Sequence, residues 1–330
     1  METRELLRKI KSIPINSGRL AEQLLAGNFS SVFKGQGIEF DEMRHYQRGD
    51  DIRSIDWNAS ARFATPFIKL YREERDLTIL ILMDTSASMH RTGIGGGASS
   101  RSGASSRSGA SGGSGEGQRL TPYEQAVFAA ALIAFSAERK SQRVGALLFD
   151  RDIHRVFLPR KGRHHLMSLV GAVLQHQEIL RQDDGVSRNK ANANGSNIAA
   201  ALIGADRLLK RRSLVVLVSD FLSVNWEDQL ARLCSKHDVI ALRVSDPADA
   251  DIPDWGLTYM EDPETGVRIT APAAFESFRE AWKEWHAQRA DLWVNACRKT
   301  GAAYLDLPVT KDAAPALYRL FSTGAPGRRL

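Results

Sequence analysis

The chain has 330 residues, with 43% hydrophobic and 25% charged, proportions of a globular protein with room for one large domain or two ordinary ones. Its formal net charge is +6, but the surplus is local. Arg91, Arg101, Arg107 and Arg119 lie in a low-complexity stretch that holds one glutamate, Glu116, and Arg328 and Arg329 lie in the tail. The rest is close to neutral, so the basic footprint of a nucleic-acid-binding surface is not expected. The longest apolar run is residues 126–135, well short of the ~20 residues of a membrane-spanning helix. At the N-terminus Leu6, Leu7, Ile10 and Ile13 recur at helical spacing, without the continuous apolar core of a signal peptide. Two cysteines, Cys234 and Cys297, are too few for a disulfide framework. The cytoplasm is the expected location.

Residues 1–30 read as two short helices, the second over 20–26. Residues 31–76 are dense in charge, with strand-like pieces at 31–34 and 66–71. The run Leu-Thr-Ile-Leu-Ile-Leu-Met at 77–83 has the pattern of a parallel strand covered on both faces, and Asp84 follows it directly. Over 92–117 the composition collapses to Gly, Ser, Ala and Arg, and Gly-Ala-Ser-Ser-Arg-Ser occurs at Gly97 and again at Gly103. Nothing there offers an apolar face, and a flexible insertion is expected. Gly109-Ala-Ser-Gly-Gly113 inside it copies the nucleophile elbow of hydrolases, but no strand precedes it as that motif requires.

Thr121-Pro122-Tyr123-Glu124 is a capping box with Pro at the first helical position, opening a helix to about residue 139. Strands at 144–149 and 153–157 flank a turn. A helix over 164–180 leads to a polar loop at 182–194, and Gly195-Ser196-Asn197 opens a helix to about 209. A second apolar strand over 213–219 again ends on a carboxylate, Asp220. Then come a helix over 226–237, a strand over 239–244, a small hairpin around Glu264-Thr-Gly266, a long helix over 272–299, a strand over 303–307 and a helix over 312–321. Strands alternating with helices predict an α/β domain with a mainly parallel sheet flanked by helices, over residues 77–330.

In an open parallel sheet, ligands bind beyond the carboxyl ends of the strands, where Asp84 and Asp220 are expected. The sequence Asp84-Thr-Ser86-Ala-Ser88 lets alternate oxygens point at one spot. Ser196, beside Gly195 at a helix entrance, adds a third hydroxyl. Two carboxylates and three hydroxyls, without sulfur or imidazole, suit Mg²⁺ or Mn²⁺ and not Zn²⁺. Asp84, Ser86, Ser88, Ser196 and Asp220 are therefore the candidate metal ligands. These spacings resemble the metal ion-dependent adhesion site of von Willebrand factor A domains, which usually place Thr where this chain has Ser196. Ser keeps the hydroxyl and loses a methyl.

The segment from Gly37 to Arg62, Gly-Ile-Glu-Phe-Asp-Glu-Met-Arg-His-Tyr-Gln-Arg-Gly-Asp-Asp-Ile-Arg-Ser-Ile-Asp-Trp-Asn-Ala-Ser-Ala-Arg, followed by Arg72-Glu-Glu-Arg-Asp76, resembles the signature of the "domain of unknown function 58" family. The likeness extends over nearly the whole chain outside the Gly/Ser insertion. It implies a bacterial protein with a von Willebrand factor A-like, Rossmann-like sheet domain, typically encoded beside a MoxR-type AAA+ ATPase. Read physically, residues 39–62 hold six acids, Glu39, Asp41, Glu42, Asp50, Asp51 and Asp56, and four arginines, Arg44, Arg48, Arg53 and Arg62. Near balance at such density predicts an ion-pair network that locks this segment, part of an N-terminal family-signature region over 1–76, onto the sheet domain. Trp57 is expected to be a core anchor.

No Gly-x-x-x-x-Gly-Lys-Ser/Thr loop occurs, so the chain carries no Walker-type ATPase of its own. A haloacid-type phosphatase needs a second Asp where Ser86 stands. The expectation is a Mg²⁺-dependent protein-interaction protein that accepts a carboxylate from client proteins and partners a MoxR-type ATPase in assembly or maturation of other complexes. The alternative from another class is a metal-dependent hydrolase with the same ion activating water, for which His90 is the one nearby base.

Overall fold

The computed structural model describes residues 39–47, 50–51, 55–63, 65–72, 77–90, 120–182, 195–262, 264 and 267–322. The helices expected over 1–30, the strand piece at 31–34, the insertion at 92–117 and the loop at 183–194 lie outside the described residues. The chain divides into two compact units, a small one from Ser30 to Leu77 and a large one containing Thr78–Leu330.

In the small unit, β1 (Glu39–His45) pairs antiparallel with β2 (Phe67–Arg72), with a bulge between Phe40 and Glu42. Between them lies α1 (Trp57–Phe63), started by Asp56, whose Oδ1 accepts from the amides of Asn58 and Ala59 at 3.0 and 3.3 Å. Arg44 pairs with Asp50 at 2.8 Å. The Gln47 amide and that guanidinium hold the Asp50 carboxyl below its ordinary range. Trp57 is not a core anchor: it is 68% exposed. The helix has only seven residues, and the one it buries is Ala59, so the largest side chain is left on the open face.

The large unit is built on six strands in the order β10-β7-β6-β3-β4-β5. In chain order they are β3 (Thr78–Asp84), β4 (Arg143–Phe149), β5 (Ile153–Arg160), β6 (Leu214–Ser219), β7 (Asp238–Ser245) and β10 (Ala303–Pro308). All neighbours pair parallel except β5, which runs antiparallel to β4 at one edge. The longer helices are α2 (Pro122–Arg139), α3 (Arg163–Gln182), α4 (Ile198–Leu208), α5 (Glu227–Lys236), α6 (Glu276–Thr300) and α7 (Ala313–Ser322).

The unbroken apolar strands follow from two-sided cover. Successive side chains of a strand point to opposite faces. Leu80 and Leu82 of β3, with Val215 and Leu217 of β6, pack among Ile198, Leu202, Leu230 and Trp293 of α4, α5 and α6. Ile81 and Met83 point the other way, against Ala130 and Ala134 of α2 and Val170 and Val173 of α3. α2 is apolar nearly all round because it is buried nearly all round. Its capping box is formed: Thr121 Oγ1 accepts from the Glu124 amide at 3.1 Å, and Glu124 Oε2 accepts from the Thr121 amide at 2.9 Å.

One boundary differs from expectation. The expected hairpin is present as β8 (Leu257–Glu261) and β9 (Arg268–Pro272). Pro272 therefore ends a strand instead of opening the long helix, which starts at Glu276 after Phe275. A Pro suits a strand terminus, where no ladder hydrogen bond is lost. Gly301 closes α6 at φ 74°, the left-handed position that Gly takes without steric cost.

Candidate functional site

The strand order fixes where a site falls. From β3 the chain runs outward through β4 and β5, then returns to β6 on the other side of β3 and continues to β7 and β10. The switch in direction lies between β3 and β6, where such sheets leave a crevice beyond their carboxyl ends. Asp84 is the last residue of β3, and Ser219, followed by Asp220, the last of β6.

Asp84 is fully buried, and its two oxygens have separate partners. Oδ1 accepts from the Ser86 amide at 3.0 Å. Oδ2 accepts from two hydroxyls, Ser196 Oγ and Ser219 Oγ, each at 2.6 Å. Ser86 Oγ and Ser88 Oγ lie 3.0 Å apart in hydrogen-bond contact. The loop holding them is tied down by Thr85, whose amide and hydroxyl both donate to the Phe149 carbonyl on β4, at 2.8 and 2.9 Å. A 3₁₀ turn over Ala87–His90 follows. Ser196 is placed by its neighbour: Asn197 caps α4 through the Ala200 amide at 3.0 Å, and its own amide donates to the Asp150 carbonyl at 2.8 Å.

The other carboxylate sits on a strained turn. Phe221, directly after Asp220, has φ 56°, a left-handed backbone that a bulky residue adopts only when its surroundings impose it. Its ring is fixed against Trp226 and Trp293 at centroid distances of 5.3 and 5.6 Å. Asp220 Oδ1 accepts from the Leu222 amide at 3.1 Å. Its Oδ2 is buried and has no hydrogen-bond partner among the described residues.

Electrostatics follow from this crowding. Burial, and then the charge of Asp220, push the Asp84 carboxyl from the ordinary 3.8 up to about 7, against the lowering effect of the Ser196, Ser219 and Ser86 hydrogen bonds. Among the described residues no three His, Cys, Asp or Glu side chains cluster so as to hold a metal ion. Any ion at this place would depend on serine hydroxyls as well as carboxylates.

Of the five residues expected from sequence, Asp84, Ser86, Ser88 and Ser196 come together at the end of β3, and Asp220 lies close enough for its charge to act on Asp84. Two further residues were not expected. Ser219 reads as one more strand residue, although a hydroxyl closing an apolar strand just before Asp220 is a signal in hindsight. Glu264, in the turn of the β8–β9 hairpin, accepts from the Ser88 amide through Oε1 at 3.0 Å, and nothing local in sequence announces it. The His90 ring packs, tilted by 31°, against the buried Tyr123 ring with centroids 4.1 Å apart. His164 and His165 face apart, with His165 Nε2 bonded to the Val144 carbonyl at 3.0 Å and His164 exposed.

Comparison with known proteins fits a family without assigned activity. The family described as "Protein of unknown function DUF58" matches residues 42–95 and 107–291. Uncharacterised proteins of Mycobacterium tuberculosis and Mycobacterium bovis are 28% identical over 312 residues, covering 93% of this chain and 86% of theirs. An uncharacterised protein of Mycobacterium avium is 31% identical over 154 residues, 46% of this chain and 84% of its own. Among solved structures, the conserved hypothetical protein BatB from Bacteroides thetaiotaomicron overlaps at TM-score 0.41 with 15% identity, over 75% of this chain and 98% of that one. An aerotolerance-related membrane protein from Bacteroides fragilis overlaps at TM-score 0.39 with 16% identity, over 75% and 99%. Among the described residues of the present chain, no helix is long and apolar enough to cross a membrane.

Proposed function

We propose that this chain, which belongs to the DUF58 family of proteins of unknown function, is a protein-interaction protein whose site takes Mg²⁺ or Mn²⁺ and offers it to a carboxylate on a partner. Asp84, Ser86, Ser88, Ser196 and Asp220 would hold the ion, in the manner of the adhesion site of a von Willebrand factor A-like domain. The supporting observation is the buried, unpartnered Oδ2 of Asp220 beside an Asp84 carboxyl raised to about 7. Two carboxylates in one dry place are costly unless a cation compensates them, and an all-oxygen donor set favours a hard divalent ion.

The ion, when bound, supplies an electrophilic position that a partner's carboxylate can fill. The protein's own groups hold the carboxylate rigid: the Ser86 amide fixes Oδ1 of Asp84, and the Ser196 and Ser219 hydroxyls fix Oδ2. Hydroxyls leave the charge of an ion less neutralised than extra carboxylates would. A hydrolase would need a base at this position, and His90 instead has its ring against Tyr123. By family resemblance the partner is a MoxR-type AAA+ ATPase, with the chain serving chaperone-like assembly or maturation of other complexes. Cys234 and Cys297 are not joined in a disulfide, which suits work in the reducing cytoplasm.

The test is association with a MoxR-type ATPase of the same cell, followed by light scattering in Mg²⁺ and then in EDTA. The proposal expects a complex that requires the ion and is lost in Asp84→Ala, Ser86→Ala and Asp220→Ala alike. Undiminished binding in EDTA would move the interface away from this site, onto the charged segment over 39–62.

A further inference from the structure

The β8–β9 hairpin reaches the site through Glu264. Glu264 Oε1 accepts from the Ser88 amide at 3.0 Å, across a separation of 176 residues. Its Oε2 faces the other wall: a Cβ at Gly195 would stand 3.3 Å from it, so the carboxylate lies against the one residue there that has no side chain. Glu264 thus spans from the Ser86–Ser88 loop to the Gly195–Ser196 entrance, two of the three segments that build the site.

The hairpin is made to hold that carboxylate in place. The Glu264 amide donates to Asp262 Oδ1 at 2.9 Å, and the Asp262 amide donates to the Val267 carbonyl at 2.9 Å. At the base, Ala271 and Ala273 are buried, and the Ala274 amide donates to the Gly256 carbonyl at 2.9 Å. Between base and tip the hairpin is open, with Leu257, Tyr259, Val267 and Ile269 all more than half exposed. The arm is therefore anchored at its base, while Asp262 and Glu264 are held by polar contacts. A carboxylate arriving from outside can replace the Glu264 contact to the Ser88 amide like for like, one amide–carboxylate hydrogen bond for another.

We propose that Glu264 is a built-in carboxylate covering the approach to the metal site, and that a partner's carboxylate binds by displacing it. This rests on the metal reading above and adds to it an internal competitor. Glu264 sits at the rim and is not a sixth ligand, in keeping with the lack of any cluster of three acidic or metal-binding side chains among the described residues. Displacing one such hydrogen bond costs enough that the covered state reduces apparent affinity for an external carboxylate by about tenfold.

The experiment loads the full chain with Mn²⁺ and titrates acetate as the probe, reading the relaxation of water protons by the ion. Glu264→Ala should bind acetate at roughly tenfold lower concentration than wild type, with Mn²⁺ affinity changed less than about twofold. Glu264→Asp, a methylene shorter, should behave like the alanine variant, and thermal melts confirm that both fold. Equal acetate affinity in wild type and Glu264→Ala would overturn the proposal. So would a loss of Mn²⁺ affinity in Glu264→Ala without a gain for acetate, which would make Glu264 a simple ligand. If wild type takes up no Mn²⁺ that Asp84→Ala fails to take up, the metal reading itself falls and this proposal with it.

Discussion

The Ser196 hydroxyl donates to Oδ2 of Asp84 at 2.6 Å, across 112 residues of chain. Ser219 makes the same contact to the same oxygen from β6, so one carboxylate oxygen joins three segments: β3, the entrance to α4, and β6. The site and the centre of the sheet are in this respect one structure.

The folded state holds the Asp84 proton up to about 7, whereas the unfolded chain releases it near 3.8. Between those values the native state binds more protons than the unfolded state, so stability without divalent ion falls as pH rises. Denaturant midpoints in EDTA from pH 4 to 8 should decline, and Asp84→Asn should flatten the decline. Added Mg²⁺ should stabilise most above pH 7, where Asp84 is ionised. A wild-type profile that rises over this range would contradict the assignment.

Ser196→Ala removes one of two hydroxyls from a buried acceptor. A hydrogen bond to a charged group contributes about 1.5–3 kcal/mol, so the loss at pH 8 in EDTA should fall in that range and be smaller at pH 5, where Asp84 is neutral. Ser196→Thr keeps the hydroxyl and should stay within about 0.5 kcal/mol of wild type, the range of mild substitutions. Urea unfolding of both variants at the two pH values decides it.

Phe221 gives a prediction in which two effects oppose each other. Its φ of 56° costs about 1 kcal/mol or more in any residue with a Cβ, while losing a buried aromatic side chain costs about 3–5 kcal/mol. Burial dominates, so both Phe221→Ala and Phe221→Gly should destabilise. Gly should nevertheless be the milder of the two by about 1 kcal/mol, reversing the usual order. A glycine variant less stable than the alanine variant would show that the turn changes conformation once the ring is gone.

Much of this site is legible in the sequence because its parts carry local signatures. The apolar run before Asp84, the spacing of Ser86 and Ser88, the Gly195-Ser196-Asn197 helix entrance and the strand ending on Asp220 each announce an element and its end. Strand alternation places Ser219 on the sheet, but which hydroxyl meets Asp84 depends on β3 and β6 being neighbours, and that pairing is a tertiary fact. Glu264 is further from reach still, since it meets Ser88 through a turn 176 residues away. Trp57 fails for another reason. Aromatic size predicts burial on average, but a seven-residue helix that buries only Ala59 has no room beneath it for an indole. Pro272 misleads because a proline that suits a first helical turn suits a strand end equally well.

The most direct test of the metal site is calorimetric titration of Mg²⁺, and separately Mn²⁺, into wild type and Asp84→Ala at pH 8, paired with thermal unfolding. Asp84→Ala should remain folded, because it removes a buried charge that Asp220 opposes. Wild type should bind one ion and gain about 2.7 kcal/mol at ~100 times the dissociation constant, and the variant should show neither. Equal stabilisation of the two proteins by the ion would contradict the assignment of Asp84 and its neighbours as a metal site.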